Sequence, residues 1–319
     1  MKIPQGSDKL LDPDSPCRPS ASHQDFLRLE KDVETLRQRV SSLERELSAV
    51  RANEALNRHP VELHLRQRGF TVLHHGENAG VLVPPHASPA QSARFYQLLR
   101  RYSFRLFARD LLAHPRVRDP GEVARYCSSK TARGYLEKLV ELGVVEAAEG
   151  GYRLIPEGLS FGPTLEWYVR EIFQRELLAP ALFNVRLGGT RHGGDYDVVG
   201  LVAGHLIYVE VKSSPPRGVE LCAVSAFLNR LRDLQPHMAV FLVDTELRMK
   251  DKIVPLFAEA LAQDGRREEE WPVERLVNET FHIGTRIYLT NSRKGIYSNL
   301  RLCLRDCFRK RHRCRAFFQ

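Results

Sequence analysis

Two short apolar runs near the middle of the chain are interrupted by acids and one lysine. They are Asp195-Tyr196-Asp197-Val198-Val199-Gly200 and Tyr208-Val209-Glu210-Val211-Lys212, with a turn near Ala203-Gly204-His205 between them. Runs rich in Val, Ile and Tyr around a Gly-containing turn predict a β-hairpin. Side chains alternate faces along a strand, so Asp195 and Asp197 share one face and Glu210 and Lys212 share another. Pairing of the two strands can bring those faces together. Carboxylates would then meet a lysine beside an otherwise apolar sheet, a costly placement unless a cation or a chemical task accounts for it.

The elements around this hairpin constrain the fold further. A helix is predicted over residues 161–178, with Leu165, Val169, Ile172 and Phe173 inward, then a strand over 183–191 and the hairpin itself. Pro215-Pro216 breaks the chain. A helix over 219–234, a strand over 237–244, a helix over 249–263, a strand over 281–289 and a helix from about 295 to 313 follow. The order α-β-β-β-α-β-α-β fits an α/β layer architecture on a mixed sheet.

Asp197 followed thirteen residues later by Glu210-Val211-Lys212 resembles the PD-(D/E)xK nuclease superfamily, and the acid-x-Asp-apolar-apolar form of residues 195–199 is similar to Mrr-like restriction endonucleases and archaeal-type junction resolvases. Tyr196 stands where a Pro usually precedes the first Asp. The resemblance implies a restriction-endonuclease-like mixed sheet flanked by helices over residues 157–319, and hydrolysis of phosphodiester bonds with Mg²⁺ or Mn²⁺. Asp197, Glu210 and the Val211 carbonyl would be metal ligands, as hard divalent cations prefer oxygen. Lys212 would orient or deprotonate the attacking water. Glu166 corresponds to the acid on the helix before the sheet, so the implied catalytic set is Glu166, Asp197, Glu210 and Lys212, with Glu166 and Asp195 as further candidate ligands. For the polar position that many relatives carry on the next helix, Glu220, Ser225, Asn229 and Arg230 are all candidates.

Upstream, residues 1–22 carry four prolines among Ser and Asp, and read as a disordered tail. From Phe26 the chain changes character. Phe26, Leu29, Val33, Leu36, Val40, Leu43, Leu47 and Val50 recur at alternating spacings of three and four, which predicts a coiled coil over residues 24–58. Partly β-branched a positions with mostly Leu at d favour a parallel homodimer through residues 26–50. The alternative is one long helix folded back on its own body. Residues 60–87 predict a small connector with a hairpin, residues 70–73 against 81–83. Residues 89–156 resemble a winged helix-turn-helix domain: a helix opened by Ser88-Pro89, a second from Asp119-Pro120, a third after Ser128-Ser129, then a strand–Gly-Gly–strand wing. In such folds the third helix enters the major groove, which assigns DNA contacts to Ser129, Lys130, Thr131 and Arg133. Residues 89–155 hold 12 Lys+Arg against 7 Asp+Glu, consistent with a phosphate-facing side.

Charge points the same way. Lys+Arg outnumber Asp+Glu 48 to 39, a net charge of +9, which favours a polyanionic partner. The C-terminal segment is strongly basic, and Arg309, Lys310 and Arg311 are candidate backbone contacts for duplex or branched DNA. No apolar run approaches a membrane span and residues 1–22 lack a signal-peptide centre, so a cytoplasmic, nucleoid-associated protein with no membrane partner is expected. Six cysteines are too sparse for a disulfide scaffold. Cys303, Cys307, His312 and Cys314 match no standard zinc spacing, and buried cysteine is the default there. The reading that emerges is a dimeric metal-dependent DNA endonuclease. A DNA-binding regulator on an inactive nuclease fold, and an RNA-directed nuclease, are its alternatives.

Overall fold

A computed structural model describes residues 23–56, 58–76, 80–84, 86–155, 159–265 and 270–316, without the side chains of 23–26, 47–56 and 311–316. The chain divides into two units, Met1–Arg58 and His59–Gln319, each described by itself.

The first unit contributes one helix, α1 (His23–Leu56), uninterrupted because no Gly or Pro occurs within it. Along it Leu29, Val33, Leu36, Val40 and Leu43 are 42% to 63% exposed, leaving the heptad stripe open to solvent in the single chain. The side chains of Phe26, Leu47 and Val50, also in that heptad, lie outside the described residues.

The second unit is built on an eight-stranded mixed sheet in the order β1-β5-β6-β7-β8-β11-β10-β9. Its strands are β1 (Thr71–His74), β5 (Ala181–Gly188), β6 (Asp195–Val202), β7 (His205–Lys212), β8 (Met238–Val243), β9 (Val273–Val277), β10 (Thr280–Ile283) and β11 (Ile287–Asn291). β7, β8 and β11 run parallel and the other neighbours pair antiparallel. Strands buried on both faces read as near-continuous apolar runs, as Met238-Ala239-Val240-Phe241-Leu242-Val243 does. One face packs α6 (Phe161–Arg175) and α9 (Ile296–Ala316) through Leu165, Ile172, Leu300 and Cys303. The other face packs α2 (Pro60–Gln67), α7 (Leu221–Leu234) and α8 (Ile253–Gln263) through Leu65, Phe227 and Phe257.

Between α2 and α6 lie α3 (Pro89–Leu99), α4 (Tyr102–Ala113), a 3-10 turn (Pro120–Val123), α5 (Ser129–Glu141) and a three-stranded sheet of β2 (Arg116–Val117), β3 (Val145–Ala148) and β4 (Gly151–Leu154), in the order β2-β4-β3. Ser88 caps α3 in a reciprocal capping box with Gln91, and Ser128 caps α5 through the Thr131 amide. This region is fastened to the large sheet by a buried ion cluster. Asp244, at the end of β8, accepts hydrogen bonds from Arg105 Nε (2.9 Å), Arg109 and Ser292, and both Asp244 and Arg105 are fully buried. Burial alone would raise the Asp244 carboxyl, but Arg105 and Arg109 hold it below its ordinary value.

Four expectations are corrected. The hairpin of residues 70–73 with 81–83 does not form: β1 pairs with β5 at the edge of the large sheet, and Val81, Leu82 and Val83 sit in the core in no strand. The Leu82 amide donates to Thr164 Oγ1 of α6 (2.8 Å), so a tertiary contact supplies what a hairpin partner would have. The single helix expected from Ser88-Pro89 to near His114-Pro115 is two, α3 and α4, breaking at Arg100–Arg101. The helix expected at Asp119 is only a 3-10 turn. The strand expected over 281–289 is the hairpin β10–β11, turned over Gly284-Thr285-Arg286, where Gly284 takes a φ of +57°.

Candidate active site

The hairpin β6–β7 forms as its alternation predicts, in the register Val198↔Val209 to Val202↔His205. Its regular ladder ends one pair before Asp197 and Glu210 would face each other. Alternation breaks there: Tyr196 and Val199, three residues apart, pack on one face of the sheet, and Val198, between Asp197 and Val199, packs on the other. On the neighbouring strand the break is matched by Asn184, whose φ of +48° is left-handed. Asp197 takes over part of the ladder itself, its Oδ2 accepting from the Val211 amide at 2.7 Å. Val211 is thus tied to Asp197 through its N–H.

Glu210 is fully buried and carries an unusual number of donors. Tyr208 Oη donates to Oε2, Lys212 Nζ lies 2.7 Å from Oε1, and Arg230 Nη2 reaches both oxygens at 3.0 and 3.2 Å. Tyr208, Glu210 and Lys212 share one face of β7 by the period of two, and Arg230 reaches them from α7 while donating its Nε to Tyr208 Oη (3.0 Å). Lys212 remains about a quarter exposed. Its carbonyl accepts from the Asp244 amide at 2.8 Å, so the residue that anchors the lysine's backbone also carries the carboxylate of the buried ion cluster.

Glu166, on α6, is half-buried and faces the same group. The Asn184 amide donates to it, and burial followed by the Glu210 and Asp195 carboxylates pushes its carboxyl up to about 7. Asp197 is held well above the usual carboxylate range by burial, then by Glu210 and Glu166. Mutual elevation of this kind is the electrostatic mark of carboxylates crowded around a shared space. Asp195 lies at the edge, in a two-pronged pair with Arg186 (2.7 and 3.0 Å) across β5–β6. That hydrogen bonding holds its carboxyl below its ordinary value.

Donor chemistry and side-chain arrangement must both be weighed for a divalent ion. Glu166, Asp197 and Glu210 are oxygen donors whose crowding a cation would relieve, as Mg²⁺ or Mn²⁺ requires. In the arrangement described, however, Glu210 is turned to Tyr208, Lys212 and Arg230. Among the described residues no three His, Cys, Asp or Glu side chains are grouped to hold a metal. A metal would take one or two of these carboxylates and displace cationic partners from Glu210.

The structure therefore brings together Glu166, Asp197, Glu210, Val211 and Lys212, with Asp195 beside them. The residues assigned to DNA sit elsewhere. Ser129, Lys130 and Arg133 are exposed in the first turns of α5 and Thr131 is half-buried there. On α9, Arg309 is exposed and Lys310 is bonded to Asp306 (2.9 Å), while the Arg311 side chain lies outside the described residues. Cys303 and Cys307 are buried in the core, where burial pushes the Cys303 thiol up; the His312 and Cys314 side chains lie outside the described residues. Three participants were not assigned from sequence: Tyr208, Asn184 and the carboxylate-binding role of Arg230. Tyr208 stands two residues before Glu210 and shares its face, a signal that period-two reasoning could have used.

No family model matches this chain, and no curated protein matches it significantly. Among solved structures it is similar to protein VC1899 from Vibrio cholerae, with a TM-score of 0.43 and 22% identity over 63% of this chain and 56% of that one. It is also similar to Can2 from Sulfobacillus thermosulfidooxidans, solved in complex with cyclic tetra-adenylate, with a TM-score of 0.43 and 14% identity over 75% of this chain and 60% of that one. The chain thus spans less than two thirds of the length of either. Both TM-scores lie under 0.5, so the function proposed next is built on this chain's own residues.

Proposed function

We propose that this chain is a metal-dependent endonuclease of the PD-(D/E)xK type that hydrolyses phosphodiester bonds in DNA. One observation carries the reading: Glu166, Asp197 and Glu210 crowd around Lys212 at one end of a helix-covered mixed sheet, with Glu166 and Asp197 both raised. Mg²⁺ or Mn²⁺ on Asp197 and Glu210 would neutralise phosphate charge and lower the pKa of a water. Lys212, a half-buried ammonium, stabilises charge developing on the phosphate once it is released from Glu210. Glu166, near neutrality in its proton affinity, can accept a proton from the attacking water. Arg230 and Tyr208 fix the Glu210 carboxylate from the side away from substrate.

The remaining parts of the proposal concern binding. Residues 89–156 dock DNA as a winged helix through Ser129, Lys130, Thr131 and Arg133, with Arg309, Lys310 and Arg311 as a second grip. Residues 26–50 pair two chains so that two sites act on opposite strands. Exposure of Lys130, Arg133 and Arg309 supports the contacts, and the open Leu29–Leu43 stripe supports the pairing.

A second reading, a DNA-binding regulator on an inactive fold, is favoured by the saturation of Glu210 with three donors and the absence of a three-ligand group among the described residues. One assay separates the two. Plasmid, linear duplex, single-stranded DNA and RNA are incubated with Mg²⁺ or Mn²⁺ and either the native chain or Lys212→Ala. The endonuclease reading expects DNA cleavage that falls about 100-fold or more in the variant. Duplex binding without cleavage supports the regulator, and RNA cleavage alone redirects the substrate.

A further inference from the structure

On the sheet face that carries α2, α7 and α8, two cavities flank the C-terminal end of α7, and Arg232 and Gln235 line both. Neither is lined by any of the carboxylates of the candidate active site. The two differ in chemistry.

The first, about 420 Å³, is polar, with Arg68, Arg191, His192 and Asp233 in its walls. Gly69 and Gly189, at φ of +87° and +86°, turn two loops there without a Cβ. Its charges do not balance. Asp233 is engaged by the His192 amide (2.9 Å) and ring Nδ1 (3.1 Å), and Arg232 by Asp264 and Asn229. That leaves Arg68 and Arg191 with no carboxylate among the described residues. Arg68 is oriented by donating Nη2 to the Gln235 carbonyl at the end of α7 (3.2 Å). The planar donor fork of arginine matches phosphate oxygens.

The second cavity, about 470 Å³, sets Leu228, Leu231, Ile283, Ile287 and Trp271 in its walls, with Asp264, Glu270 and Arg286 as charged residues among them. Flat heteroaromatic rings are favoured against indole and aliphatic surfaces. An anion-seeking cavity and an aromatic-lined one, meeting at the same two residues, match the two ends of one ligand class.

We propose that these cavities form a nucleotide site, with the phosphate held by Arg68 and Arg191 and the base lodged beside Trp271. It stands apart from the proposed phosphodiester cleavage and does not depend on it. The full chain is titrated with adenosine 5′-monophosphate, adenosine and inorganic phosphate, following tryptophan fluorescence and calorimetric heat. The chain has two tryptophans, and Trp167 is buried in the core, so Trp271 supplies the responsive signal. The monophosphate is expected to bind at least tenfold more tightly than either fragment. Arg68→Gln and Arg191→Gln are each expected to weaken it about tenfold. Trp271→Phe is expected to abolish the fluorescence change, and Lys212→Ala to leave binding intact. Thermal melts establish that each variant is folded. The site is overturned if the monophosphate binds no better than phosphate, if Arg68→Gln binds like the native chain, or if the fluorescence change survives Trp271→Phe.

Discussion

Glu166 is the residue whose chemistry most directly reports on the carboxylate cluster. Its carboxyl is raised to about 7 by burial and by facing acids, so the folded, metal-free chain binds a proton there more tightly than the unfolded chain does. A raised acid favours folding below its unfolded pKa, and that contribution is lost as pH rises through the folded value. The expected signature is a relative loss of stability between roughly pH 4.5 and 7, up to about 3 kcal/mol for this one group. Asp197 adds to it with the same sign. His59 and His64, both lowered mainly by burial, act oppositely over part of that range. The clean measurement is therefore the difference between the native chain and Glu166→Gln, followed by chemical denaturation across pH in the presence of a chelator. The variant should gain relative stability as pH rises, and a pH-independent difference would remove Glu166 from the cluster. At this scale the sequence made Asp197, Glu210 and Lys212 legible because their spacing is a motif. Arg230 was one of four candidates on its helix, and its grip on Glu210, like the contact of Asn184, was not assigned because these roles depend on the crossing of α7 over β7 and on a left-handed residue in β5. Neither leaves a local pattern.

Elements were legible where periodicity and turn chemistry agreed. The β6–β7 hairpin is the clearest case: alternating runs close through a two-residue loop in which Ala203 (φ +48°) and Gly204 (φ +74°) are both left-handed. That is the type I′ geometry, which favours Asn-Gly and disfavours alanine at the first position. Ala203→Asn is therefore expected to stabilise the chain by about 0.5–1 kcal/mol, read as a raised denaturation midpoint with unchanged slope. Ala203 is exposed, so no packing change should obscure the effect. Legibility failed where an element's partner was distant. β1 is four residues long and joins β5 more than a hundred residues away, so no nearby pattern separates it from a local hairpin. Asp244 shows how such distant pairings are held. It is fully buried against Arg105, and removing the carboxylate would strand an arginine in the core. Asp244→Ala is expected to cost about 3–5 kcal/mol, measured by denaturant titration. The backbone amide of residue 244, which donates to the Lys212 carbonyl, is retained in that variant, so the cost is assigned to the stranded arginine and not to loss of the lysine's anchor.

The molecule as a whole comprises a long helix and a body with its own core. The described residues of 59–319 bury apolar surface on both faces of a large sheet. In contrast, α1 presents Leu29, Val33, Leu36, Val40 and Leu43 largely to water. Isolated helices derive little stability from propensity alone, and burial of each large aliphatic side chain is worth about 1.5–3 kcal/mol. Five such residues at coiled-coil spacing give a drive to pair, and the proposed partner is the same stripe of a second chain, in parallel. Removing residues 1–58 is expected to halve the mass seen by light scattering while leaving the melting transition of the body in place. If cleavage needs two sites on one duplex, the truncated chain should nick plasmid more than it linearises it, at matched total activity. An unchanged mass would reassign the helix to a different partner, and a halved mass with undiminished linearisation would show that each body cuts both strands by itself.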